Sequence, residues 1–101
     1  MIIYNVTVKI DPSIEREWIS WMKEEHIPDV LATGKFTESR FVRLLEVDES
    51  EGPTFSIQYS ANSRGDYDDY IANYSADMRK KGTDRWGNLF IAFRTVMQVV
   101  E

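Results

Sequence analysis

Residues 2–12, Ile2-Ile3-Tyr4-Asn5-Val6-Thr7-Val8-Lys9-Ile10-Asp11-Pro12, decide how the chain is read. Side chains of a strand alternate between its faces, so Ile2, Tyr4, Val6, Val8 and Ile10 share an apolar face. Ile3, Asn5, Thr7 and Lys9 make the other face mixed. A β-branched run of period two predicts a strand buried on one side. Asp11 then offers a carboxylate to the free N–H groups of a helical turn, and Pro12 stands where its missing N–H costs nothing. A helix therefore follows the strand directly.

Working outward, Ile14, Trp18, Trp21, Met22 and Glu25 fall on one stripe of that helix, with Glu15, Arg16 and Lys23 towards solvent. Pro28 disfavours helical geometry at Ile27, so the helix is expected to bend or stop around Glu25-His26. A short turn over Asp29-Val30-Leu31-Ala32 follows, closed by Gly34. Phe36 to Val47 is strand-like, Asp48 to Pro53 is a polar turn, and Thr54 to Ala61 alternates again. The two strands predict an antiparallel hairpin. Ser63 caps a second helix with Asp66 three residues on, and its stripe is Tyr67, Tyr70, Ile71, Tyr74 and Met78. Arg79, Lys80 and Lys81 complement the negative end of its dipole, and Gly82 closes it. A loop through Trp86 and Gly87 leads to a last strand, Leu89 to Val100. The order β-α-β-β-α-β defines an α+β, ferredoxin-like sandwich: a four-stranded antiparallel sheet with two helices on one face, filling residues 1–101 as one domain.

Composition narrows the function. The net charge is −5, the wrong sign for gripping a phosphate backbone, so no nucleic-acid partner is expected. The chain has no cysteine, which removes disulfides, thiolate metal sites and thiol nucleophiles. Met1 runs into the strand without a basic, apolar leader, and no apolar stretch approaches the roughly 20 residues that span a bilayer. The expected setting is cytoplasmic, with no membrane contact.

The final strand predicts a partner. Leu89, Ile91, Phe93, Met97 and Val99 lie on one face, and Phe90, Ala92, Val96 and Val100 on the other. Phe41 and Leu45 oppose Val42 and Leu44 in the same way. Helices cover one face of a sheet; an apolar second face needs another cover, and a second copy packed sheet to sheet supplies it. A homodimer is expected.

The opening Met1 to Val8, the stretch Trp18 to Gly34 with its His26-Ile27-Pro28, and the ending Phe90 to Thr95 resemble a family of small uncharacterised bacterial proteins, a domain of unknown function. The architecture also resembles the dimeric α/β-barrel superfamily, which includes cofactor-independent antibiotic-biosynthesis-type monooxygenases, haem-handling relatives and ligand binders. That resemblance implies a dimer with a pocket between helices and sheet in each subunit, and no particular reaction.

His26 is the only histidine and follows Trp18 and Met22 at four-residue spacing. It is the candidate catalytic residue, as general base, or an axial ligand for haem; alternatively it caps a helix end, the reading favoured because a base needs a placed partner. His26 and Asp29 do not complete a metal site, and no metal is expected. Trp18, Trp21, Met22, His26, Tyr59 and Tyr67 are the candidate ligand-binding set, with Tyr70 and Tyr74 adding phenols. Arg40, Arg43 and Arg94 lie within strands, where an arginine faces solvent, pairs with an acid or binds a carboxylate. Three functions follow: a small-molecule or interaction module for an apolar or aromatic ligand, ranked first and needing no cofactor; a monooxygenase- or isomerase-like enzyme using His26; and a haem protein.

Overall fold

The computed structural model describes residues 1–101 throughout. Strand β1, Ile2–Ile10, sits between two partners, antiparallel to both β3, Thr54–Ala61, and β4, Phe90–Gln98. The hairpin adds β2, Glu38–Arg43, giving the order β2-β3-β1-β4. This is the ferredoxin-like sandwich. The cross-strand register sets Tyr4 between Tyr59 and Val96, and Val6 between Ile57 and Arg94. The helix-side face therefore carries Ile2, Tyr4, Val8 and Ile10 of β1 with Phe55, Ile57, Tyr59 and Ala61 of β3, all buried in one core.

The first helical layer does not stop before Pro28. A 3-10 turn at Pro12–Ile14 leads into α1, Glu15–Trp21, then a π turn over Met22–His26, then α2, Ile27–Ala32. Asp11 caps the start, accepting from the Ser13 N–H at 2.9 Å. Proline clashes with the carbonyl four residues back in an α-helix. The wider π turn, in which the Ile27 N–H donates to Met22 O, carries the chain past that point without ending the helix. Its extra residue shows in the burial: Ile14, Trp18 and Met22 step by four, and the next buried position is Ile27, a step of five. Glu25, expected on the buried stripe, is turned out to solvent by the same insertion.

The second layer is also split. Ser63 caps α3, Arg64–Asn73, by accepting from the Asp66 N–H at 3.1 Å. The chain breaks at Tyr74 and continues as α4, Ser75–Trp86. Gly82 is inside α4 and does not end it; the terminator is Gly87, with φ 62° and an N–H donating to Thr83 O at 2.8 Å. Trp86 is thus the last helical residue and not part of a loop. Both helical layers pack on the same face of the sheet.

The other face is less apolar than the sequence suggests. Its centre is polar, with Asn5, Thr7, Lys9, Ser56 and Gln58; buried Ser56 donates to Asn5, whose amide donates to Thr7 at 3.0 Å. The apolar side chains gather on β4, where Ile91 is 66% exposed and Phe93 62%. Strand β2 ends at Arg43, short of the expected Val47, and Glu46 turns the chain away at φ 59°.

One backbone position closes the β2–β3 turn against the end of β1. Gly52 has φ 126°, and a Cβ there would lie 1.9 Å from the carbonyl oxygen of Ile10. Steric overlap with a fixed backbone atom adds to the conformational strain. Gly52→Ala is expected to destabilise the fold by about 2–4 kcal/mol, a fall in Tm of roughly 10–20 °C, read by thermal denaturation. An unchanged Tm would show that this turn does not hold the sheet end.

Candidate functional site

The helices do not fill the space above β1 completely. Between Trp18, Trp21 and Met22 on the first layer, Met78 and Trp86 on α4, and β1 and β4 beneath them lies a cavity of about 70 Å³. A water needs some 10–15 Å³, and an engineered cavity that admits benzene measures about 150 Å³. As it stands the room holds a few waters; a single ring enters only if flexible side chains such as Met78 and Arg79 shift.

His26 forms part of the wall at the end of the π turn. Its ring stacks on Trp21 with centroids 4.6 Å apart, and Trp21 meets the edge of Trp86 at 5.9 Å. Burial holds the imidazole neutral, lowering its pKa from 6.5 to about 4; Asp29 opposes this, while Lys81 and Arg94 add to it. Asp29 makes its ion pair with Lys81 at 3.3 Å and does not hydrogen-bond to the imidazole. His26 is therefore not a helix-end cap: the helix runs on past it into α2, its side chain makes no capping bond, and its Nδ1 is buried without a partner. Trp86, 5% exposed, has the same deficit at Nε1. These two nitrogens are the chain's unpartnered buried side-chain polar atoms, and both residues line this one cavity.

The rest of the lining is aliphatic or aromatic except for Gly82, Arg79 and Arg94. Arg94 lies on the helix side of β4, where its Nε donates to the hydroxyl of buried Tyr4 at 3.1 Å. Burial raises the pKa of Tyr59 and Tyr70, both in the wall, far above the ordinary phenol range, so both remain O–H donors. Of the candidate set, Trp18, Trp21, Met22, His26 and Tyr59 come together here. Tyr67 lies outside the lining and packs on the Tyr4 ring at 5.7 Å. Of the strand arginines, Arg43 pairs with Glu15 and Glu49, Arg40 faces out from the sheet, and Arg94 alone reaches the cavity. A helix that ends at Gly82 leaves Trp86 in a loop, and Arg79 reads from the sequence only as a complement to the helix dipole. Carrying the stripe on from Met78 in steps of four would have found Trp86.

The fold and this buried cleft define a class, the ferredoxin-like α+β domains. The sequence model of one family, a domain of unknown function designated DUF4286, matches residues 1–100, and the chain belongs to that family. No curated protein matches it in sequence. Solved structures share its fold. A dimeric ferredoxin-like protein from an uncultured marine organism aligns over 99% of this chain and 95% of its own, with 12% identity and a TM-score of 0.73. An EthD (ethyl tert-butyl ether D) family protein of Bacillus halodurans aligns over 99% and 100%, with 11% identity and a TM-score of 0.67. A monooxygenase of Streptomyces coelicolor, solved in complex with the ligand nanaomycin D, aligns over 99% and 89%, with 10% identity and a TM-score of 0.60.

The depressed pKa of His26 sets a pH dependence. Between about pH 4 and 6.5 the unfolded chain binds a proton that the folded one refuses. Stability from this group is thus complete above pH 6.5 and is lost as the pH falls through 4. Urea denaturation should show wild type losing on the order of 2–3 kcal/mol more than His26→Leu between pH 7 and 4.5. An NMR inflection of the His26 ring near 6.5 would contradict the buried, neutral assignment.

Proposed function

We propose that this domain binds a small apolar or aromatic molecule in the cavity above β1, and that it works as a homodimer joined through the outer face of β4. One observation carries the binding reading: two buried nitrogens, His26 Nδ1 and Trp86 Nε1, stand unpartnered in the wall of a single cleft. Each such atom costs about 1–3 kcal/mol if nothing bonds to it, whereas an apolar filling would cost nothing. A polar group of a bound molecule removes that cost, and the rings of Trp18, Trp21 and Tyr59 supply the apolar contact.

Binding is favoured over catalysis by the same imidazole. A base with a pKa near 4 is a weak proton acceptor at neutral pH, and no carboxylate orients it. Haem is favoured least, since a macrocycle needs far more than about 70 Å³. The Streptomyces neighbour in complex with nanaomycin D supports a small-molecule role for the fold. Ile91, Phe93 and Met97, exposed on β4, and Val99 just beyond it support the dimer, as do neighbours described as dimeric.

Phenol serves as a neutral one-ring probe. Thermal shift and NMR titration should show saturable binding that Trp21→Ala weakens about tenfold, the loss of one aromatic contact of some 1.4 kcal/mol. His26→Ala should keep binding within a few-fold. No saturable binding of phenol would remove the reading. Turnover of a related hydroxyaromatic that His26→Ala abolishes would replace it with the enzyme reading. Light scattering should give twice 11.8 kDa for wild type and 11.8 kDa for Phe93→Glu. A monomeric wild type would remove the dimer.

A further inference from the structure

The charge around the cavity is opposite in sign to the charge of the chain. The chain carries −5 overall, yet the cavity lining contains no aspartate or glutamate and two arginines, Arg79 from α4 and Arg94 from β4. Five of the chain's other ten cations are paired with acids: Lys35 with Asp69, Arg43 with Glu15 and Glu49, Arg64 with Asp68, Lys80 with Asp84, and Lys81 with Asp29. Those without an ion pair, Lys9, Arg16, Lys23, Arg40 and Arg85, lie outside the cavity lining. Arg79 and Arg94 have no carboxylate partner. Arg94 is nevertheless held in place, because Tyr4, 3% exposed and part of the cavity wall, accepts from its Nε. No hydrogen bond engages the two terminal nitrogens of that guanidinium. Tyr4 then keeps its own hydroxyl proton to donate.

The remaining polar atoms point the same way. The indole N–H of Trp86 is a donor and nothing else, and the Tyr59 and Tyr70 hydroxyls stay protonated. Against these donors the wall offers as acceptors one ring nitrogen, on His26, and the tyrosine oxygens, and no carboxylate. A site rich in donors, with two unpaired cations and no anion, is complementary to an acceptor carrying negative charge.

We infer that the ligand of this cavity is a small organic anion, a carboxylate or enolate on an apolar body of no more than about one ring, with its charged end at Arg79 and Arg94 and its apolar end against Trp21 and Trp86. The inference rests on the proposed binding function and adds the chemical class of the ligand.

Benzoate and benzamide test it, being near-isosteric and differing in charge. NMR titration of the full chain at pH 7 should show benzoate binding at least tenfold more tightly than benzamide. The benzoate affinity should fall as salt is raised from 20 to about 200 mM, because the cations are exposed. The Trp86 indole N–H resonance should shift on benzoate binding. Arg94→Gln, at an exposed position, should fold and lose most of the preference for benzoate over benzamide; Arg79→Gln should lose part of it. Equal affinities for benzoate and benzamide would overturn the anion assignment and leave the binding function standing. So would a preference that survives both arginine substitutions. Failure of benzoate, benzamide and phenol alike would take down the binding function together with it.

Discussion

Strand β1 is hydrogen-bonded along both edges, and its single apolar face must be covered. The rest of the molecule is arranged to meet that requirement. The strand's partners bring their own apolar residues into the same plane, and the two helical layers lie across it. The π turn belongs to this arrangement: it keeps Ile27 and Val30 buried after Pro28 has made an ordinary α-helix unworkable. Where the covering is dense, around Tyr4, Phe36, Tyr59 and Tyr70, rings stack and tilt against one another with centroids about 5–6 Å apart.

Where the covering is loose, the cavity opens. Trp21 stacks on His26 and meets the edge of Trp86, and a space remains whose walls include the two residues with buried, unpartnered nitrogens. Packing that served stability alone would have closed the gap with aliphatic side chains and left no nitrogen without a partner. The π turn ends on His26, so the device that carries the helix past Pro28 also sets the imidazole in the wall. Backbone irregularity and unsatisfied polarity thus meet at one place in the fold.

Much of the frame was legible in the sequence because it depends on local chemistry. The alternation of Ile2 to Ile10 and of Thr54 to Ala61 gave both central strands with their observed limits, and Asp11 and Ser63 marked helix starts that hold in three dimensions. The cavity was less legible, since it depends on phase. A π turn shifts every later residue by about a fifth of a turn or more, and no propensity announces it; only the spacing of buried residues around Pro28 does. Gly82 was read as a cap because basic residues precede it, yet a glycine inside a helix is tolerated where a ring, here Phe90, packs close by. Of three strand arginines, only register against Val6 distinguishes Arg94, and register comes from pairing. The outer face illustrates the same limit: the apolar content of β4 was plain, while the polar centre beside it follows from strand order.

The central claim is that the space beside His26 is an open, polar-edged site and not sealed core. A high-resolution crystal structure tests it most directly. The account requires ordered density, water or a bound molecule, within hydrogen-bond distance of both Trp86 Nε1 and His26 Nδ1. Side chains closed over those two nitrogens, with nothing but carbon against them, would contradict it.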